Sequence, residues 1–138
     1  MMMNAEKIGA AMFAQDRASQ ALGMELLAIA PGSATLAMTV REDMANGFGI
    51  CHGGLIATLA DSAFAFACNA RNELTVAAGF TVDFIAPARP GDRLVAVAAE
   101  MAQAGRSGVY DVSVHNQRDE LIALFRGNSH RMKDKQVV

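Results

Sequence analysis

A chain of 138 residues has room for one domain, and with 52% hydrophobic against 19% charged residues it has the material for a packed core rather than a disordered segment. Twelve Lys and Arg against fourteen Asp and Glu give a net charge of −2, which excludes the clustered positive surface that nucleic-acid phosphates require. Two cysteines, Cys51 and Cys68, are too few for a disulfide scaffold; the nearest thing to a membrane span, Leu55 to Ala70, is interrupted by Thr58, Asp61, Ser62 and Asn69.

The N-terminal segment carries Glu6, Lys7, Asp16 and Arg17 and lacks the basic leader and apolar core of a signal peptide, so the sequence reads as a soluble cytoplasmic protein with reduced thiols. From about residue 4 to residue 20, apolar residues at Ile8, Ala11, Met12 and Ala18 predict a modestly amphipathic helix, ended by Gly23. Two extended runs follow, Met24 to Ala30 and Ser33 to Val40. Pro31-Gly32 between them is a type II turn signal, proline fixing φ at the first central position and glycine supplying positive φ at the second. Arg41 to Gly49 reads as a loop. From about residue 53 to residue 70 an Ala- and Leu-rich stretch without proline predicts a long helix. Glu73 to Ala86, Arg93 to Ala102, Ser107 to Asn116 and Leu121 to Arg131 are then strand-like, separated by Pro87–Gly91, Ala104-Gly105 and Arg118-Asp119. An antiparallel sheet of five or six strands needs one face covered, and the 53–70 helix is the one apolar enough to be enclosed. The expected architecture is a single α+β domain over residues 1–138, a sheet wrapped around one long central helix. A second copy is the natural cover for an exposed sheet edge.

Between Asp43 and Arg71 the one Asp, Glu, Lys or Arg is Asp61, in mid-helix with Ala57, Thr58, Phe64 and Ala65 one turn away. A carboxylate in such surroundings costs several kcal/mol, roughly, unless it has a partner, and none lies on the same helix. Two structural readings compete with a functional one. Asp61 can cap a second helix starting at Ser62, with Leu55 to Ala60 as a strand, or it can be a protonated or hydrogen-bonded core acid. The functional reading is that a desolvated carboxylate is a reactive one.

The stretch Asn46 to Gly54, NGFGICHGG, is the second candidate. It lacks the third glycine of a dinucleotide fingerprint and sits in no βαβ unit. It does bring a loop to a helix whose first residues are Gly53 and Gly54, and amides there are unpaired and lie at the positive end of the helix dipole. Glycine lets a substrate oxygen come close, so the segment is a workable oxyanion hole; a plain glycine-rich helix entry is the alternative. His52 can orient the loop or the carbonyl. Asn46 is ordinarily a turn residue before Gly47, but its amide can hold a water. Cys51 reads as packing rather than as a nucleophile, and His52, His115 and His130 have no metal-ligand spacing, so no metal is expected.

Gly53 and Asp61, eight residues apart on one helix, are separated by about 12 Å. An oxyanion donor and a carboxylate acting on one carbonyl must each approach it within about 3 Å. Two antiparallel copies of the helix across a two-fold axis satisfy this, which predicts an obligate dimer with shared sites.

Asn46, His52-Gly53-Gly54, Leu59-Ala60-Asp61, Thr81-Val82-Asp83-Phe84, Pro87, Gly108-Val109-Tyr110-Asp111-Val112 and the ending Leu124 to Arg131 together resemble the hotdog-fold acyl-CoA thioesterases, above all the phenylacetate-pathway (PaaI-type) subfamily, from about Phe13 to Arg131. The resemblance implies a hotdog fold, a homotetramer built as a dimer of dimers, and hydrolysis of acyl-CoA thioesters, especially aryl-acetyl ones, with no cofactor beyond the coenzyme A of the substrate. It implies Asp61 as nucleophile or general base, the Gly53 amide as oxyanion donor supported by His52, and Asn46 positioning the water or thioester. Coenzyme A is placed along Ile85 to Pro90 and Arg106, Ser107 and Gly108, with Arg89 and Arg106 toward phosphates. Gly54, Phe48 and Phe64 are expected near the acyl group. Some relatives carry a hydroxyl near Ala78; here Ala77-Ala78-Gly79 has none and Thr81 is the nearest. A hotdog hydratase or dehydratase and a non-catalytic acyl-CoA-binding domain are the rival readings.

Overall fold

The structure, a computed structural model, describes residues 4–138; the first three residues of the single domain expected over 1–138 lie outside the described residues. Helix α1 spans Ala5–Gln15 and is capped by Asn4, whose side chain accepts from the Lys7 N–H at 2.9 Å. The single helix expected from about 4 to 20 is two. The chain leaves helical geometry at Asp16 (φ −87°, ψ 83°), and Asp16 starts a second short helix, α2 (Arg17–Ala21), by accepting from the Ser19 N–H at 3.0 Å. Gly23, at φ 72°, ends it.

The strands are β1 (Glu25–Ala30), β2 (Ser33–Thr39), β3 (Thr75–Phe84), β4 (Arg93–Ala104), β5 (Ser107–His115) and β6 (Leu121–Arg131), and the long helix α3 is Gly53–Asn69. They form one six-stranded sheet in the order β1-β2-β4-β5-β6-β3, antiparallel at every pairing. The Pro31-Gly32 turn joins β1 to β2 with Gly32 at φ 78°, as its chemistry predicts. The loop expected over 41–49 contains one short 3-10 turn, Glu42–Met44.

The sheet curls around α3. Leu59, Ala60, Ala63, Phe64, Phe66 and Ala67 of the helix are fully buried against Leu36, Leu94, Ala96, Ala98, Tyr110, Val112 and Ile122. Each large apolar side chain buried this completely contributes about 1.5–3 kcal/mol. Small residues set how near the helix can come: a Cβ at Gly127 on β6 would meet the Phe64 ring at 2.9 Å. The end of the helix is tied to β3 by buried Asn69, which donates to the Ala65 and Thr75 carbonyls and accepts from the Thr75 N–H at 2.9 Å. This is the hotdog arrangement expected from the sequence. It leaves β3 at one edge, with Val76, Phe80, Phe84 and the following Ile85 all about half exposed.

Candidate active site

Helix α3 runs unbroken through Asp61, which removes the reading of Asp61 as the cap of a separate helix. Gly54, Thr58, Asp61 and Ala65, at helical spacing, line its less buried face. Asp61 is half-buried and has neither a hydrogen bond nor an ion pair among the described residues. Burial pushes its carboxyl above the usual aspartate range, and the negative charge of Asp16 pushes it further the same way. That combination makes a carboxylate more basic at a given pH.

The helix start is held by its loop. Asn46 donates its N–H to the Ile50 carbonyl at 2.8 Å, Ala45 bridges Cys51, and the Cys51 N–H donates to the Ala88 carbonyl at 2.7 Å. The Asn46 Oδ1 accepts from the Phe48 and Ile50 amides, which makes Asn46 a turn former whose side-chain NH₂ stays available as a donor. His52 occupies the N-cap position with an exposed side chain, and its N–H donates to the Met44 carbonyl at 2.8 Å. The first two amides of α3, Gly53 and Gly54, have no acceptor within the described chain. The Phe84 ring of β3 covers Gly53, and a Cβ there would meet it at 2.9 Å. The Cys51 thiol is buried and pushed up by burial, the reverse of an activated nucleophile; Cys68 is pushed up to about 12.

Several residues named from sequence are not brought to this place. Phe64 is 1% exposed and packs on Tyr110 and Phe125, with ring centroids 5.5 and 5.8 Å away, so within the protomer it belongs to the core. Thr81 pairs with Arg126 on the outer face of the sheet beside Asp83, Val97 and Leu124, turned away from α3. Gly108 is buried against Gln103, Ser129 and Tyr110. Phe48 stands at the loop tip, 89% exposed. Arg89 lies beside the helix start, its N–H donating to Asp92 at 2.9 Å, whereas Arg106 sits in the β4–β5 turn next to Ser107 and accepts from the Arg131 N–H. Within one protomer the two arginines lie toward opposite ends of β3, Arg106 beside Arg131, which pairs with Thr75, and Arg89 beyond Phe84.

Arg106 has neighbours that sequence reasoning missed. The C-terminal segment folds back onto Asn72, which accepts from the Val137 and Val138 amides, and closes a groove of about 950 Å³ whose cations are Arg71, Arg106, Arg131, Lys133 and Lys135. Arg71 is paired with Glu100 and Arg131 with Glu73; Arg106, Lys133 and Lys135 have no ion-pair partner among the described residues. Among these residues no three His, Cys, Asp or Glu side chains gather as a metal site, and no helix is long and apolar enough to cross a membrane.

The sequence pattern of the thioesterase superfamily matches residues 48–123. Over 122 residues the chain is 43% identical to acyl-coenzyme A thioesterase PaaI of Escherichia coli, covering 88% of this chain and 87% of that one. It is 32% identical to human acyl-coenzyme A thioesterase 13, over 76% and 77% of the two chains. Among solved structures, the E. coli PaaI protein from the phenylacetic acid degradation operon superposes with a TM-score of 0.91 at 42% identity, covering 93% of each chain. A mutant of phenylacetic acid degradation protein PaaI from Thermus thermophilus gives 0.81 at 39%, covering 85% of this chain and all of that one.

Proposed function

Because this chain belongs to the thioesterase superfamily and is an acyl-CoA thioesterase of the PaaI type, we propose that it hydrolyses aryl-acetyl-CoA thioesters such as phenylacetyl-CoA at sites shared between two protomers. The observation that carries this reading is Asp61, an unpartnered and desolvated carboxylate on the open face of α3, about 12 Å along the same helix from the free Gly53 amide. One protomer cannot bring both to a single carbonyl. Two can, when their β3 edges pair antiparallel and their α3 helices lie side by side in opposite directions, Asp61 of one beside Gly53 of the other. The unpaired, half-apolar β3 edge supports this pairing.

In that arrangement the Gly53 amide, at the positive end of α3, receives the oxygen of the thioester as it becomes negative. His52 fixes the helix entry, and the free NH₂ of Asn46 is a donor for water or thioester. Asp61 supplies negative charge, either attacking the thioester carbon or taking the proton from an attacking water. Because thiolate is a good leaving group, no strong general acid is required, and no cofactor takes part. Antiparallel β3 edges also place the Arg106 groove of one protomer beside Arg89 of its partner, so the coenzyme phosphates are met from both chains while the acyl group enters between the helices near Gly54. Dimers pair further into a homotetramer.

The test is thiol release from aryl, short and long acyl-CoAs by wild type and Asp61→Asn. The reading expects a preference for aryl-acetyl substrates and loss of most of the rate in Asp61→Asn. Turnover at wild-type speed without the carboxylate would exclude it.

A further inference from the structure

The break between α1 and α2 does more than its capping chemistry requires. A helix N-cap uses one carboxylate oxygen, and Asp16 Oδ1 fills that role by accepting from the Ser19 N–H at 3.0 Å. Its other oxygen, Oδ2, accepts from the Ser19 hydroxyl at 2.6 Å, and Ser19 Oγ lies 2.8 Å from Ser62 Oγ, across 43 positions of sequence. Ser19 has one hydroxyl proton and gives it to Asp16, so Ser62 is the donor in the second bond. The chain of bonds therefore runs from α3 through Ser62 and Ser19 to Asp16, and Ser19 in its middle is 1% exposed. Ser62 is the residue next to Asp61.

We propose that Asp16 is a positioning residue of the thioesterase site: through Ser19 and Ser62 it fixes the N-terminal helices against α3 beside Asp61 and brings a second carboxyl group near that side chain. The proposal rests on Asp61 as the reactive carboxylate. The titratable groups coupled to Asp61 are Asp16, at the α1–α2 junction, and Cys68, two turns further along α3. Of the charged side chains on the strands around α3, Glu25 pairs with Arg93, Glu100 with Arg71, Asp111 with Arg126 and Arg131 with Glu73, and Asp83 lies beside Thr81 on the outer face of the sheet. On the N-terminal side Arg17 is next to Asp16 in sequence, and Arg41 donates to the Ala21 carbonyl and pairs with Asp43; neither Asp16 nor Asp61 has an ion-pair partner among the described residues. Repulsion from Asp16 favours uptake of a proton by Asp61, the event that a general base must complete in the transition state.

Three variants separate the hydrogen-bond chain from the charge. Asp16→Asn keeps a good cap and an acceptor for Ser19 but removes the charge, Ser62→Ala cuts the link to α3 and leaves the cap, and Asp16→Ala removes everything. The readouts are the pH profile of kcat/KM for phenylacetyl-CoA and the titration of the Asp61 carboxyl carbon by NMR in protein labelled at aspartate. For Asp16→Asn the Asp61 midpoint and the acid limb of the profile both move to lower pH, with the thermal midpoint near wild type. For Ser62→Ala, kcat falls by about tenfold or more with KM held, and the limb stays in place. Asp16→Ala combines both effects; where it does not fold, the other two variants decide. An Asp61 midpoint unmoved in Asp16→Asn, or a wild-type kcat in Ser62→Ala, overturns the proposal and leaves Asp16 a helix cap. A failure of the underlying reading looks different, because then Asp61→Asn itself keeps its rate.

Discussion

The Phe84 ring at the end of β3 lies over Gly53 so closely that a Cβ on residue 53 would come within 2.9 Å of it. The start of α3 and the sheet edge are therefore set against one another at the residue whose amide is proposed to bind the thioester oxygen. Gly53→Ala forces the ring aside or the helix start back, at about 1–3 kcal/mol. We expect the variant to fold with a lowered thermal midpoint and to lose roughly a hundredfold in kcat as the amide shifts from its place. Adding Phe84→Leu frees the space and returns most of the stability, and kcat with it. Stability and turnover of the two single variants and the double variant, measured together, check this.

Asp61→Asn gains stability as it loses activity. The Asp61 carboxyl is raised above its ordinary 3.8 by burial and by Asp16, so the folded state holds that proton more tightly than the unfolded chain does. Stability from this group then falls as pH rises from 3.8 through the raised folded value, and the deficit is constant above it. Asparagine, neutral throughout, escapes the penalty. Denaturant unfolding at fixed protein concentration finds Asp61→Asn more stable than wild type near neutral pH, with the difference closing below the ordinary aspartate range. Equal stability at neutral pH would mean that the carboxylate is not desolvated.

Much of this was legible in the sequence, and the exceptions share a cause. Pro31-Gly32, the helix entry at Gly53 and the isolated charge of Asp61 are local signals, readable from a few neighbouring residues, and each appears where expected. Asp16 was masked because the apolar spacing from Ile8 to Ala18 runs through the break, although aspartate is itself a preferred N-cap residue. Which face a strand residue uses was not legible. A bulge between Ala77 and Gly79 offsets β3 against β6, and Thr81 faces outward with Arg126. Phe64 and Gly108 depend likewise on what packs opposite, and the basic groove needs the C-terminal segment to fold back on Asn72.

Complementation tests the shared site. Mixing Asp61→Asn with Gly53→Ala protomers yields hybrids in which one of the two sites has both its wild-type carboxylate and its wild-type helix start. The expected result is activity well above that of either parent, approaching a quarter of wild type in an equal mixture where half the dimers are hybrids. Subunit exchange is checked by mass spectrometry of differently tagged chains. Full exchange without recovered activity would mean that each site is built within one protomer.

The groove around Arg106 is tested by its salt dependence and by a truncated substrate. Arg106→Ala together with Lys133→Ala removes two unpaired cations and should raise KM for phenylacetyl-CoA by about tenfold with kcat little changed, the loss shrinking at high salt. A phenylacetyl thioester of N-acetylcysteamine, which has no phosphates, should show the same KM with wild type and variant. An equal change for both substrates would place the coenzyme elsewhere.

The β3 edge carries the last expectation. Val76 is 46% exposed and sits outside the packed core, so a charge there changes the edge without changing the interior of the protomer. A lysine on an edge strand resists pairing with another edge, because the ammonium groups of two copies are brought together and neither has a partner. Val76→Lys is therefore expected to keep the fold, with near wild-type circular dichroism, while sedimenting as a monomer at concentrations where wild type is assembled. If each site needs Asp61 from one chain and Gly53 from the other, specific activity must fall in step with dissociation and return as the variant is concentrated. Val76→Ala, which leaves the edge uncharged, should remain associated and active. A monomeric Val76→Lys with full activity at every dilution would separate catalysis from the β3 edge altogether.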